Sequence, residues 1–233
     1  MFIEVNKKNL SDEVASQIIN RIISGAITPG EKLPPERDVS EKMNVNRHTL
    51  REALRKLELL GLLTVKQGDG IYIKDYRDSG NLELLKYIIH QKKEITQSVF
   101  KDILEIRRII STEMAEKAAL YRTDADIISL QEILISGKSI MEKDLAIHQL
   151  IARAGNNILY IFILNFFNDI FKEFGPLYFS LEENMKVTIK FHTDISKAII
   201  SGDTKSAKKI MNEVLIYSEK KLLYVLEKQN DKI

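Results

Sequence analysis

The chain contains no cysteine. That excludes a disulfide scaffold, a thiolate zinc finger and a cysteine nucleophile, and it fits a reducing compartment. No charge of one sign prevails: 35 Lys+Arg stand against 33 Asp+Glu, a net +2 over 233 residues. Bulk charge therefore names no partner, and only its distribution can. Long hydrophobic runs are missing too. The stretch Ile158–Phe167 is interrupted at Asn165 and followed by Asn168, well short of the ~20 apolar residues that span a bilayer. The opening MFIEVNKK lacks the apolar core of about 7–15 residues that marks a signal peptide. The expectation is a cytoplasmic protein with no membrane partner. What is present is core material: 44% hydrophobic and 29% charged residues suit a globular chain and not a disordered one.

Proline is scarce and placed early, with Pro29, Pro34 and Pro35 among the first residues and only Pro176 later. Beyond about residue 75 apolar residues recur at helical spacing with few breakers. This shift predicts a small domain over 1–76, a polar linker at 77–80 and an all-helical domain over 81–229. In the first, Leu10, Val14, Ile18 and Ile22 form an apolar stripe on a helix over 10–24 that Gly25 closes. The loop AITPGEKLPP leads to short helices at 36–43 and 47–60, the second capped by Asn46 and stopped by Gly61. LLTVKQGDGIYIK then reads as a β-hairpin. A helix, a helix-turn-helix pair and a hairpin make a winged helix-turn-helix. The later segments read as six or seven helices, at about 81–92, 96–121, 124–140, 144–154, 157–173, 183–201 and 203–229, punctuated by Gly155, Gly175-Pro176 and Gly202. The fold class is thus mainly α.

On a wheel at ~100° per residue, Arg47, Arg51, Arg55 and His48 share one arc of the helix at 47–60, and Leu50, Ala53, Leu54 and Leu57 the opposite one. Such a helix can pack on its domain while its N-terminal end offers guanidinium groups to bases and phosphates. A solvated surface helix can carry the same arc; the neighbouring helix and hairpin favour the first use. Asp69, an acid in the wing, reads as a turn former.

The order of these pieces resembles the DNA-binding domain of the GntR family of bacterial transcription regulators. The matching stretches are IISGAITPGEKLPPERDVSEKMNVNRHTLREALRKLELLGLLTV and QGDGIYI. The resemblance implies DNA contacts by Arg37, Arg47, Thr49 and Arg51, with Asn46 and His48 flanking them and Gln67 and Gly68 at the wing tip. It also implies a homodimer on a two-fold symmetric operator.

The remainder is similar to the effector-binding domain, often called FCD, of the FadR-like branch, through EIRRIISTEMAEKAA, DLAIHQLIARAGNN and FHTDISKAIISGDTKSAKKIM. Asp144 and His148, four apart, lie on one helix face, and a bundle can bring His192 to the same interior point. Such a set suits Zn²⁺, Ni²⁺ or Mn²⁺, or else hydrogen-bonds within the core. The resemblance implies a metal held by one Asp and three His, but the position expected for the last His is Val214, which leaves an incomplete set. It further implies a small carboxylate effector, with Arg107 as its anchor and Asn156 nearby; Asn156 is also suited to cap a helix. Phe162, Phe166, Phe167, Phe171 and Phe174 read as core or dimer packing. The function expected is a non-enzymatic, effector-modulated DNA-binding regulator. The alternative is a metal-dependent hydrolase using Asp144, His148 and His192, for which no general-base motif, nucleophile elbow or phosphate loop is found.

Overall fold

The computed structural model describes residues 10–91 and 97–230. The chain divides into two compact units, residues 1–93 and 94–233.

The first unit contains α1 (Leu10–Ile23), α2 (Glu36–Lys42), α3 (Arg47–Leu59), β1 (Leu63–Lys66), β2 (Gly70–Ile73), α4 (Tyr76–Ser79) and α5 (Leu82–Gln91). Its core joins the apolar stripe of α1 (Val14, Ile18, Ile22) to that of α3 (Leu50, Leu54, Leu57), with Leu63 and Ile73 from the hairpin. The strands are antiparallel, Leu63 opposite Ile73 and Lys66 opposite Gly70. The loop before α2 adds a third edge: Leu33 N–H donates to Ile71 O (2.8 Å) and Ile73 N–H to Glu31 O (2.9 Å). This is the winged helix-turn-helix expected from sequence.

Two features differ from the sequence reading. The polar run expected as a linker forms α4, and the helix assigned to the second domain, α5, packs on the first: Leu84 is buried in its core and Tyr76, Tyr87 and Ile88 pack against it. The contact between α4 and the end of α3 depends on Gly61, whose φ is +79°. A Cβ there would lie 2.0 Å from Ser79 O, and Ser79 Oγ donates to Gly61 O (2.7 Å). Gly61→Ala is expected to lose about 1–2 kcal/mol through the left-handed backbone alone, with the clash added, read as a lower urea midpoint.

The second unit contains six helices among the described residues: α6 (Gln97–Tyr121), α7 (Asp124–Ile135), α8 (Ile140–Ala154), α9 (Ile158–Phe179), α10 (Glu182–Ser201) and α11 (Thr204–Asn230). Met114, Ile147, Ile151, Leu164, Ile195, Ile199 and Met211 fill its core. The periodicity that suggested a helix to residue 140 breaks at 136–139, because Ser139 restarts the chain with a capping box: its Oγ accepts from Glu142 N–H while Glu142 accepts from Ser139 N–H. In contrast, α9 runs through Pro176, the site read as a stop. Ring contacts of Phe171 with Tyr178 and Phe179 bridge the proline and hold the helix across the lost hydrogen bond. Phe166, Phe167 and Phe171 are buried, whereas Phe162 is 62% exposed.

Candidate functional site

Two sets of residues stand out, one in each unit. In the first, Asn46 caps α3: its Oδ1 accepts from Thr49 N–H at 2.8 Å, so this expected contact residue sets the angle at which the helix begins. Arg47, His48 and Arg51 then project from the first turns and are exposed. Gln67 and Gly68 form the exposed wing tip, Gly68 with φ +77°. Between α3 and the wing lies a groove of about 770 Å³ lined by Lys32, Arg51, Arg55, Lys66, Gln67 and Gly68 among others.

The cations are not equally free. Arg51 Nε lies 2.7 Å from Glu36 Oε2, Arg37 Nε 3.0 Å from Glu41 Oε1, and His48 Nε2 3.4 Å from Glu52 Oε1. Arg47 and Arg55 have no acidic partner among the described residues. The acid of the wing is neutralised: Asp69 accepts from Lys32 Nζ and Tyr72 Oη, both at 2.7 Å, and these bonds, Lys32 first, hold its carboxyl below the usual range. Asp69 thus presents no unpaired negative charge to the groove, which Glu36 and Glu58 also line. Arg55, Lys32 and Lys66 belong to it, the two lysines without having been singled out. Arg55 shares the basic arc of α3, but Lys32 reaches the wing only because the preceding loop pairs with β2.

In the second unit Arg107 (α6), Asp144 and His148 (α8) and His192 (α10) are all buried. His192 Nε2 lies 3.0 Å from Asp144 Oδ1, a hydrogen bond, and His148 Nε2 lies 3.8 Å from the same oxygen. The His148 ring stacks on Phe191 (5.5 Å). Burial pushes Asp144 up, but His148, His192 and Arg107 together hold its carboxyl below the usual range. Arg107 is depressed by burial, against the pull of Asp144 and Tyr178. Its Nε has no hydrogen-bond partner, and its Cζ sits 5.0 Å from the Phe171 ring centroid. Asn156, in contrast, is exposed in the turn after α8 with φ +54°, and the cap of α9 is Asn157, which accepts from Leu159 N–H (3.0 Å).

Sequence reasoning missed the rest of this polar seam. Asn184, Thr188, His192 and Ser196 recur every fourth residue of α10 and all are buried, a stripe legible as polar residues at helical spacing in a core face. Asn184 accepts from Tyr217 Oη (2.9 Å) and donates to Tyr178 O (2.8 Å).

The donors of Asp144, His148 and His192 are of the right chemistry for a divalent ion, but the fourth position, Val214, packs its apolar side chain against the core. Among the described residues no group of three or more His, Asp or Glu side chains is arranged to hold an ion. As they stand, His192 and Asp144 are hydrogen-bonded, and His148 faces the same carboxylate at 3.8 Å.

Burial pushes the His148 imidazole down to about 4, against the attraction of Asp144. In the unfolded chain it takes its proton near 6.5. The unfolded state binds more protons across that window, so stability present above pH 6.5 is lost as pH falls toward 4, by about 3 kcal/mol at most. The lowered Asp144 acts in the same direction. Urea unfolding is expected to show a lower midpoint at pH 5 than at pH 7, and His148→Gln is expected to flatten that dependence.

Residues 10–73 match the family described as bacterial regulatory proteins, gntR family, and residues 74–229 match the FadR C-terminal domain. The HTH-type transcriptional regulator Mce2R of Mycobacterium tuberculosis is 30% identical, with 97% of this chain and 96% of that one covered. A fatty acid metabolism regulator protein of Shewanella amazonensis is 28% identical over 83% of this chain and 82% of its own. The solved Listeria monocytogenes protein Lar, described as controlling expression of the agr system, shares the fold with a TM-score of 0.55 at 15% identity, covering 96% of this chain and 100% of that one.

Proposed function

Because the chain belongs to the GntR family of bacterial regulatory proteins and carries a FadR-type C-terminal domain, and is therefore a transcription regulator of that type, we propose that a small carboxylate bound in the second unit sets its affinity for a two-fold symmetric DNA operator. The observation that carries the effector class is the buried Arg107 guanidinium, whose Nε has no hydrogen-bond partner. A carboxylate supplies the planar, two-oxygen partner this group lacks. His148, kept neutral by burial, and the His192–Asp144 pair give the seam both donors and acceptors for further polar groups of the ligand. The ligand changes operator affinity only to the extent that it binds one arrangement of the protein better than another.

The DNA contacts we assign are Arg37, Arg47, His48, Thr49 and Arg51, with Gln67, Gly68 and the additional cations Lys32, Arg55 and Lys66 along the groove. Asn46 acts as the cap that positions them. The protein works as a homodimer in this reading. Exposed Ile158, Leu159 and Phe162 at the start of α9 supply apolar surface of the kind that interfaces bury. Asp144, His148 and His192 carry the donor chemistry for a divalent ion such as Zn²⁺, Ni²⁺ or Mn²⁺, but their arrangement does not fit one, and the effector reading does not depend on it. The hydrolase alternative finds no support, since the matched relatives are transcriptional regulators. No helix among the described residues is long and apolar enough to cross a membrane.

The test is binding to DNA from upstream of the protein's own gene across a salt series, with and without a panel of small carboxylates. Preference over random DNA, a steep salt dependence and a shift with one panel member support the reading. Affinity without sequence preference or salt dependence rejects it.

A further inference from the structure

A second concave site lies in the second unit and shares no lining residue with the pocket at Arg107. It is a groove of about 460 Å³ between α7, the turn at 136–139, the start of α8 and one face of α10, within the size range of small-molecule sites. Residues 189, 192, 193, 196, 197 and 200 of α10 line it, a continuous stripe at helical spacing. Three observations define what it would take.

The first is charge. Lys138, Lys143 and Lys197 line the groove and no carboxylate does. Lys143 donates to Leu134 O (2.9 Å). Lys138 and Lys197 are exposed and make no ion pair among the described residues, although Lys138 lies within the electrostatic reach of Glu142. The second is an unpartnered hydroxyl. Ser196 is 2% exposed, and its Oγ has no hydrogen-bond partner; a buried hydroxyl without a partner costs free energy that an incoming acceptor recovers. The third is the wall. Leu134, Ile140, Ile189 and Ile200 supply aliphatic surface, with Ile189 51% exposed on a helix face where a polar residue would otherwise be the rule.

We propose that this groove binds a small organic anion with an aliphatic body, one head-group oxygen accepting from Ser196, its charge facing Lys138 and Lys197, and its chain against Leu134, Ile140, Ile189 and Ile200. The groove meets the polar stripe of α10 at His192 and Ser196 but is not lined by Arg107, Asp144 or His148; His192 Nε2 is engaged by Asp144 while the residue lines the groove. Carboxylate and phosphate head groups both meet the chemistry of two ammonium groups and a hydroxyl donor.

Calorimetric titration of the full chain with octanoate, octyl phosphate and inorganic phosphate tests this. Saturable binding is expected for one of the two octyl probes, which tells carboxylate from phosphate, with inorganic phosphate at least tenfold weaker. The double variant Lys138→Gln, Lys197→Gln is expected to raise the Kd at least tenfold and Ser196→Ala at least threefold, with Lys205→Gln, a lysine outside the groove, leaving it unchanged. Thermal midpoints of these variants within a few degrees of the parent show that the fold is intact. No saturable binding of either octyl probe overturns the proposal, as does a Kd unchanged in both the double variant and Ser196→Ala. Inorganic phosphate as tight as octyl phosphate overturns the aliphatic half. Binding lost in Arg107→Met and kept in the double lysine variant places the probe in the buried seam and overturns the groove assignment, while leaving the Arg107 reading standing.

Discussion

Arg47→Ala combined with Arg51→Ala is expected to weaken operator binding about 100-fold or more, and to leave the fold unchanged. A good two-pronged Arg–base contact discriminates by about 1–3 kcal/mol, so two of them reach that factor. Both side chains are exposed in the free protein, so their truncation costs no core packing. They are not equivalent, however. Arg47 has no acidic partner, whereas Arg51 is held by Glu36 at 2.7 Å. DNA must compete with Glu36 for Arg51, and the exchange lowers its net contribution while lowering its grip on unspecific phosphates too. Arg47→Ala alone should therefore cost more than Arg51→Ala alone, and Glu36→Gln should raise affinity for random DNA more than for operator. Fluorescence anisotropy over a series of about 50–200 mM salt would show this, with the salt slope falling by about 1 for each phosphate contact removed. A loss under threefold in the double variant would remove α3 from the reading role.

The contrast between Arg47 and Arg51 also shows what a sequence can and cannot convey. The basic arc of α3, its Asn46 cap and its Gly61 stop are local: each depends on residues within four positions, and each lies where periodicity and capping chemistry place it. The Glu36–Arg51 pair, the Lys32–Asp69 bridge and the packing of α5 on the first unit depend on tertiary approach, which no spacing rule reports. The same division holds in the second unit. Asp144 and His148 were legible as an i, i+4 pair, and His192 as a partner through family resemblance. The polar stripe of α10 was legible in principle at the same spacing, and the apolar residues between its members drew attention away from it. Pro176 misled because its intrinsic cost of about 3 kcal/mol is outweighed by ring packing on both sides. The Ser139 restart was missed because the apolar pattern of α7 runs almost up to it, so only the S-x-x-E box distinguishes turn from helix.

Arg107→Met is expected to abolish the response of operator binding to the carboxylate effector and to leave thermal stability equal or higher. The two halves of that outcome separate a ligand anchor from a structural ion pair. Removing one partner of a buried, hydrogen-bonded pair costs about 3–5 kcal/mol, whereas replacing a poorly compensated buried charge with an apolar side chain of similar volume is often neutral or stabilising. Arg107 makes no hydrogen bond through Nε and rests on the Phe171 ring, a surface that a methionine thioether also fills. Its desolvation is thus only partly offset, by the charge of Asp144, a cost retained where function requires it. Asp144 keeps its His192 hydrogen bond in the variant, so the carboxylate is not stranded. Effector affinity should fall by about 100-fold, as expected for a charge-assisted hydrogen bond worth about 1.5–3 kcal/mol. Arg107→Lys, with a point charge and no fork, should restore only part of it. Differential scanning calorimetry paired with effector titration of the protein–operator complex gives both readouts. A variant that is strongly destabilised yet still answers the effector would make Arg107 a structural residue and move the ligand elsewhere in the seam.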